Sequence, residues 1–150
     1  MSRHLIVPDT QVRPGVPLDH LEWVAQAIVE YMPDVVVHLG DHWDMPSLSS
    51  HDAPGSMATE GARYEDDVRV GNEAFATICK PMEAEQARLV ANKKKQWNPR
   101  KVFLTGNHCH RITRAVNASP KLSGAIGLHH LDTRDFERHA FLERVWIDGI

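Results

Sequence analysis

Short apolar runs alternate along this chain with longer stretches of helical period. Leu5, Ile6 and Val7 form a run that stops at Pro8 and opens into the polar segment DTQVRPG, the pattern of a buried strand followed by a loop. From Asp19 to about Tyr31, the residues Leu21, Val24, Ala25, Ile28, Val29 and Met32 recur at spacings of three and four, which predicts one apolar helix face ending near Pro33. DVVVHLGD supplies a second strand, broken at Gly40, and its three valines without polar alternation suit a strand covered on both faces. Strand, helix and strand read as a βαβ unit, so the two strands are expected to be parallel, adjacent and joined by a right-handed crossover.

Residues 42–60 lack a sustained period and are rich in Ser, Pro, Gly and Asp, which predicts a functional loop. A long helical stretch follows over 62–96, with Tyr64, Val68, Phe75, Ile78, Met82 and Leu89 along one stripe; Pro81 interrupts it and predicts a kink or two consecutive helices. KVFLT, residues 101–105, gives a third strand after Pro99. Residues 112–116, 121–126 and 134–142 read as short helical pieces, with Leu142, Val145, Trp146 and Ile147 offering apolar cover. The fold class expected is α/β, mainly a parallel βαβ sheet with a long helical segment.

A chain of 150 residues with 42% apolar content can bury a core without disulfides. Cys79 and Cys109 stand far apart and read as reduced thiols, which points to a cytoplasmic protein. No apolar stretch approaches membrane-spanning length, and the start lacks the features of a signal peptide. The net charge of −3 gives no global attraction to nucleic acid, and the run Lys93, Lys94, Lys95 reads as the solvated end of a helix.

Chemistry concentrates where the three strands end. Asp9 with Gln11, Gly40 with Asp41, and Gly106 with Asn107 and His108 follow successive strands, and parallel strands gather their carboxyl ends on one sheet edge. Asp9 and Asp41 offer hard anionic oxygens, and the amide oxygens of Gln11 and Asn107 can complete the shell of a divalent metal. Asp41, central among these segments, is the candidate to bridge two ions. Gly40 and Gly106 permit the tight turns that bring such groups together. His108 is a candidate general acid for the leaving oxygen of a phosphate ester, or a charge stabiliser near the phosphate. His110 reads either as a phosphate contact or as loop polarity, and Arg111 as a partner for a phosphate oxygen or an acidic side chain. Asp44, His51 and Asp52 are candidates for supporting bonds, substrate contacts or local caps. Trp43 reads as a loop anchor. A Cys109 thiolate nucleophile, or a zinc site on His108, Cys109 and His110, fits the spacing poorly.

These motifs, PDTQ at 8–11, GDHWD at 40–44 and GNHCHR at 106–111, resemble those of the calcineurin-like metallophosphoesterase superfamily, especially its small phage and bacterial members. The resemblance covers the front half of that fold and implies part of a four-layer α/β/β/α sandwich, so that 1–150 would be a metallophosphoesterase-like domain incomplete at its C-terminus. It implies that Asp9 and Gln11 belong to a first metal site, that Asp41 bridges, that Asn107 ligates a second ion and that His108 assists. The implied reaction is hydrolysis of a phosphoester, nucleic-acid phosphodiesters included, by metal-bound hydroxide, in the host cytoplasm if the chain is phage-encoded.

Two departures shape the expectation. Gln11 stands where the family most often has histidine, which shifts the preference from Fe or Zn toward Mn or Mg, with one or two ions held. The later histidine motifs are absent: only His129, His130 and His139 follow His110. The chain is therefore expected to need a missing C-terminal half or a second copy of itself, or to act as a binding or assembly protein.

Overall fold

A computed structural model describes residues 2–50, 56–57 and 59–149. Four strands, β1 (His4–Val7), β2 (Val35–His38), β3 (Arg100–Leu104) and β4 (Glu137–His139), lie side by side in chain order, every pair parallel. Three helices are interleaved with them: α1 (Asp19–Tyr31), α2 (Tyr64–Ala91) and α3 (His110–Ala118). The chain is thus an α/β fold with a parallel sheet, and the register pairs Val7 with His38 and His38 with Phe103.

The helices cover one sheet face. α1 buries Leu21, Ala25 and Ile28, the apolar stripe that its spacing predicts. α2 buries Ala74, Phe75, Ile78, Cys79, Met82 and Leu89 against the same core. α1 stops where Met32 turns left-handed (φ 43°) and returns its N–H to the Ile28 carbonyl, immediately before Pro33. α2 stops in the same manner. Lys93 is left-handed (φ 52°), and Lys94 donates to the Leu89 carbonyl at 2.9 Å, so the lysine run belongs to a helix end. On the opposite sheet face Val35, Val37 and Val102 form a second cluster, which Leu104, Val145 and Ile147 pack against. Trp146, by contrast, is 71% exposed and Leu142 84%, so neither supplies the expected cover.

Three expectations are corrected. α2 runs as one helix through Pro81, so of the two outcomes expected there the division into two helices does not occur; the proline, exposed, leaves the Thr77 carbonyl without its helical donor. Residues 134–142 are not helical: Glu137–His139 form β4, whose polar sequence conceals a short edge strand held by the Arg100–Glu137 ion pair (2.9 Å). Residues 121–126 form a 3-10 turn, Pro120–Leu122, and a tight turn instead of a helix. Among the described residues no helix is long and apolar enough to cross a membrane.

Candidate metal centre

The loops after β1 and β2 stay paired beyond the sheet. Gln11 N–H donates to the Asp41 carbonyl (3.0 Å), Val12 N–H to the His42 carbonyl (2.6 Å) and Asp44 N–H to the Val12 carbonyl (3.0 Å). This pairing holds Gln11 and Asp41 in left-handed backbone conformations, φ 42° and 48°, which non-glycine residues seldom adopt and which recur at functional sites.

The β3 loop closes onto them through two glycines. At Gly40, with φ 95°, a Cβ would sit 2.6 Å from the Gly106 nitrogen, and at Gly106 a Cβ would meet the Asp41 nitrogen at 2.6 Å. The absence of both side chains lets His108 N–H donate to Asp41 Oδ1 at 2.7 Å, a bond to an ionised acceptor across 67 positions of chain. Asp41 is 8% exposed, whereas Asp9, Gln11 and Asn107, the other candidate ligands, are exposed at the same edge.

Asp44 organises the next layer. Its Oδ1 accepts from His108 Nδ1 at 2.6 Å, so the proton sits on Nδ1 and Nε2 is the remaining ring nitrogen. Arg111 Nη1 donates to the Asp44 carbonyl (2.8 Å), and Arg13 Nη1 lies 3.6 Å from Asp44 Oδ2. Of the candidate residues, Asp41, Asp44, His108 and Arg111 are thus joined by direct bonds, and Gln11 is joined through its backbone. His110 opens α3 and stacks on Phe141 with centroids 4.6 Å apart, a packing role. His51 and Asp52 lie outside the described residues.

Trp43 is fully buried, donates to Asn72 Oδ1 (3.1 Å) and stacks on Phe75, as an anchor should. Burial pushes the Cys109 thiol up to about 11, helped by the Asp41 charge, which opposes the thiolate a nucleophile or zinc ligand requires.

Sequence reading missed a buried polar set beneath these loops. Thr10 Oγ1 lies 2.6 Å from His42 Nδ1 and 3.2 Å from His38 Nε2. Burial drives His38 down to about 4 and His42 to about 3, the latter aided by its neighbour His38, so both rings are neutral. The signal available was their position beside strand ends; their convergence depends on residues 28 and 32 apart in sequence. Arg13 was also missed, since a lone arginine in a loop carries no spacing signal.

Among the described residues no three His, Cys, Asp or Glu side chains converge as a metal-holding group. A groove of about 850 Å³ between α1 and α2 is lined by none of the candidate residues. Compared with known proteins, the chain has no significant match to a family model, a curated protein or a solved structure.

Proposed function

We propose that this chain is a divalent-metal-dependent phosphoesterase of the calcineurin-like kind, carrying the first half of its centre. The observation that carries the reading is the His108–Asp44 pair locked onto Asp41: the imidazole bonds to Asp44 at 2.6 Å while its own backbone N–H holds Asp41 at 2.7 Å. A proton donor and a carboxylate ligand are thereby fixed relative to one another before any substrate binds.

The donors present, carboxylates of Asp9 and Asp41 with amide oxygens of Gln11 and Asn107, form an all-oxygen set. That chemistry fits a hard cation such as Mn or Mg and lacks the nitrogen and sulfur ligands zinc prefers. When bound, the cation offsets charge on the phosphoryl oxygens. His108, protonated, donates from Nε2 to the leaving oxygen, and Asp44 holds the Nδ1–H and stabilises the imidazolium. Arg13, half exposed beside Asp44, supplies a cation that can face a phosphate oxygen. The substrate is a phosphoester, with nucleic-acid phosphodiesters the class the resemblance favours. The full four-layer sandwich would set a second sheet over Val35, Val37 and Val102, the face where Val145 and Ile147 pack.

A second reading rests on the absence, among the described residues, of a three-member group of His, Cys, Asp or Glu. Under it, the chain binds a partner through an incomplete centre, or a second copy or further segment contributes the missing ligands. Metal content and bis-p-nitrophenyl phosphate hydrolysis with Mn, measured on the parent, Asp41→Ala and His108→Ala, decide between them. Loss of metal in Asp41→Ala, and retained metal with turnover lowered by about 10²–10⁴ in His108→Ala, supports the esterase. Equal behaviour of all three proteins sinks it.

A further inference from the structure

Beneath the candidate centre runs a hydrogen-bond chain whose direction is fixed by chemistry. Gly40 N–H donates to His38 Nδ1 (3.1 Å), so neutral His38 carries its proton on Nε2 and donates to Thr10 Oγ1 (3.2 Å). The Thr10 hydroxyl must then give its own proton to His42 Nδ1 (2.6 Å), and His42 Nε2–H donates to the Gly71 carbonyl in α2 (2.9 Å). His20 Nε2 donates to the Thr10 carbonyl (3.1 Å), tying α1 to the same residue. Every ring nitrogen of His38 and His42 is used once, with both rings neutral.

The location of this chain is specific. Thr10 is 7% exposed while its neighbours Asp9 and Gln11 are exposed, so the loop after β1 turns its hydroxyl inward and its candidate ligands outward. Opposite it, His38 at the end of β2 and His42 in the loop beyond bracket Gly40 and Asp41. A buried polar set costs desolvation that apolar side chains of similar volume would avoid, and what it adds is directional bonding that admits one arrangement.

We infer that Thr10 is the positioning residue of the candidate metal centre, its hydroxyl setting the loop that bears Asp9 and Gln11 against the loop that bears Asp41. The inference rests on the proposed metal site. It differs from a packing role because Thr10→Val keeps the shape while taking the bridge from His38 Nε2–H and His42 Nδ1, so metal affinity and loop exchange are read beside stability.

The test compares Mn²⁺ affinity by calorimetry and amide hydrogen exchange at Gln11 and Val12 in the parent, Thr10→Val and Thr10→Ser. Thr10→Val should melt cooperatively, bind Mn²⁺ about 10–100-fold more weakly and exchange the Gln11 and Val12 amides faster, because those amides pair with Asp41 and His42. Thr10→Ser, which restores the hydroxyl, should return affinity to within about threefold of the parent. Unchanged affinity and exchange in Thr10→Val overturn the inference while leaving the metal site standing. A parent that binds no Mn²⁺ overturns the metal site itself, and the inference with it. Should Thr10→Val fail to fold, Thr10→Cys, with its weak thiol donor, must fall between parent and Thr10→Ser on one side and no binding on the other; parent-like affinity there overturns the inference equally.

Discussion

Gly71→Ala sets local propensity against tertiary contact, and the structure decides the sign. Gly71 lies inside α2, where alanine is worth about 0.8–1.0 kcal/mol more than glycine. Taken alone, that difference makes the substitution stabilising. A Cβ on residue 71, however, would lie 2.8 Å from Trp43 Cγ and closer still to Cδ1 and Nε1, against the roughly 3.5–4.0 Å of normal carbon contact. The indole has little room to retreat: it is fully buried, held by Asn72 Oδ1 at 3.1 Å, and stacked on Phe75 at 5.7 Å. Overpacking of this kind costs about 1–3 kcal/mol, here toward the upper end. Moving α2 outward instead lengthens the His42–Gly71 bond, worth about 1 kcal/mol. The net expectation is a loss of roughly 1–2 kcal/mol after the propensity gain. Urea unfolding followed by tryptophan fluorescence measures it, and Gly71→Ala as stable as the parent would refute the reasoning. In a Trp43→Leu background the same alanine should become neutral or stabilising, a coupling of at least about 1 kcal/mol.

Gly106→Ala should displace Asp41, because its Cβ would meet the Asp41 nitrogen at 2.6 Å; Mn²⁺ affinity read by calorimetry is expected to fall by about tenfold or more. Acid should destabilise the fold. His38 and His42 hold values of about 4 and about 3 when folded against 6.5 unfolded, so the unfolded chain binds more protons as pH falls below 6.5. Stability is fully present above pH 6.5 and is lost as pH falls toward 4 for His38 and 3 for His42, His38 alone accounting for roughly 3 kcal/mol. Asp67, its carboxyl raised by burial, works in the opposite sense. Urea midpoints compared at pH 7.5 and 4.5 give the check, and an unchanged midpoint speaks against neutral buried rings. Cys79 and Cys109, pushed up by burial to about 12 and about 11, should resist Ellman's reagent at pH 8 in the native protein and react fully in urea; prompt native labelling would contradict their burial.

What the sequence determined by itself is the succession of β1, α1, β2, the long helix and β3, and the sheet edge that the candidate residues share. Apolar runs at Leu5–Val7 and Val35–Val37 and the helical period of 19–31 are local signals, and parallel strands then oblige Asp9, Asp41 and Asn107 to share one edge. Strand β4 escaped because Glu137, Arg138 and His139 carry no apolar alternation; its place comes from pairing with β3 and from Arg100. Pro81 does not divide α2: the cost of a proline, a lost bond and a ring clash, is local, while a long helix packed on the core and on α1 keeps its contacts on both sides of it. Asp44 was legible as a candidate support, but which residues the supports meet was decided by tertiary structure. Asp44 meets His108 across 64 positions, and Thr10 meets His42 across 32. Periodicity records which side of its own element a residue faces, but the partner it finds there depends on how distant loops cross, and that is set by the packed sheet and helices together.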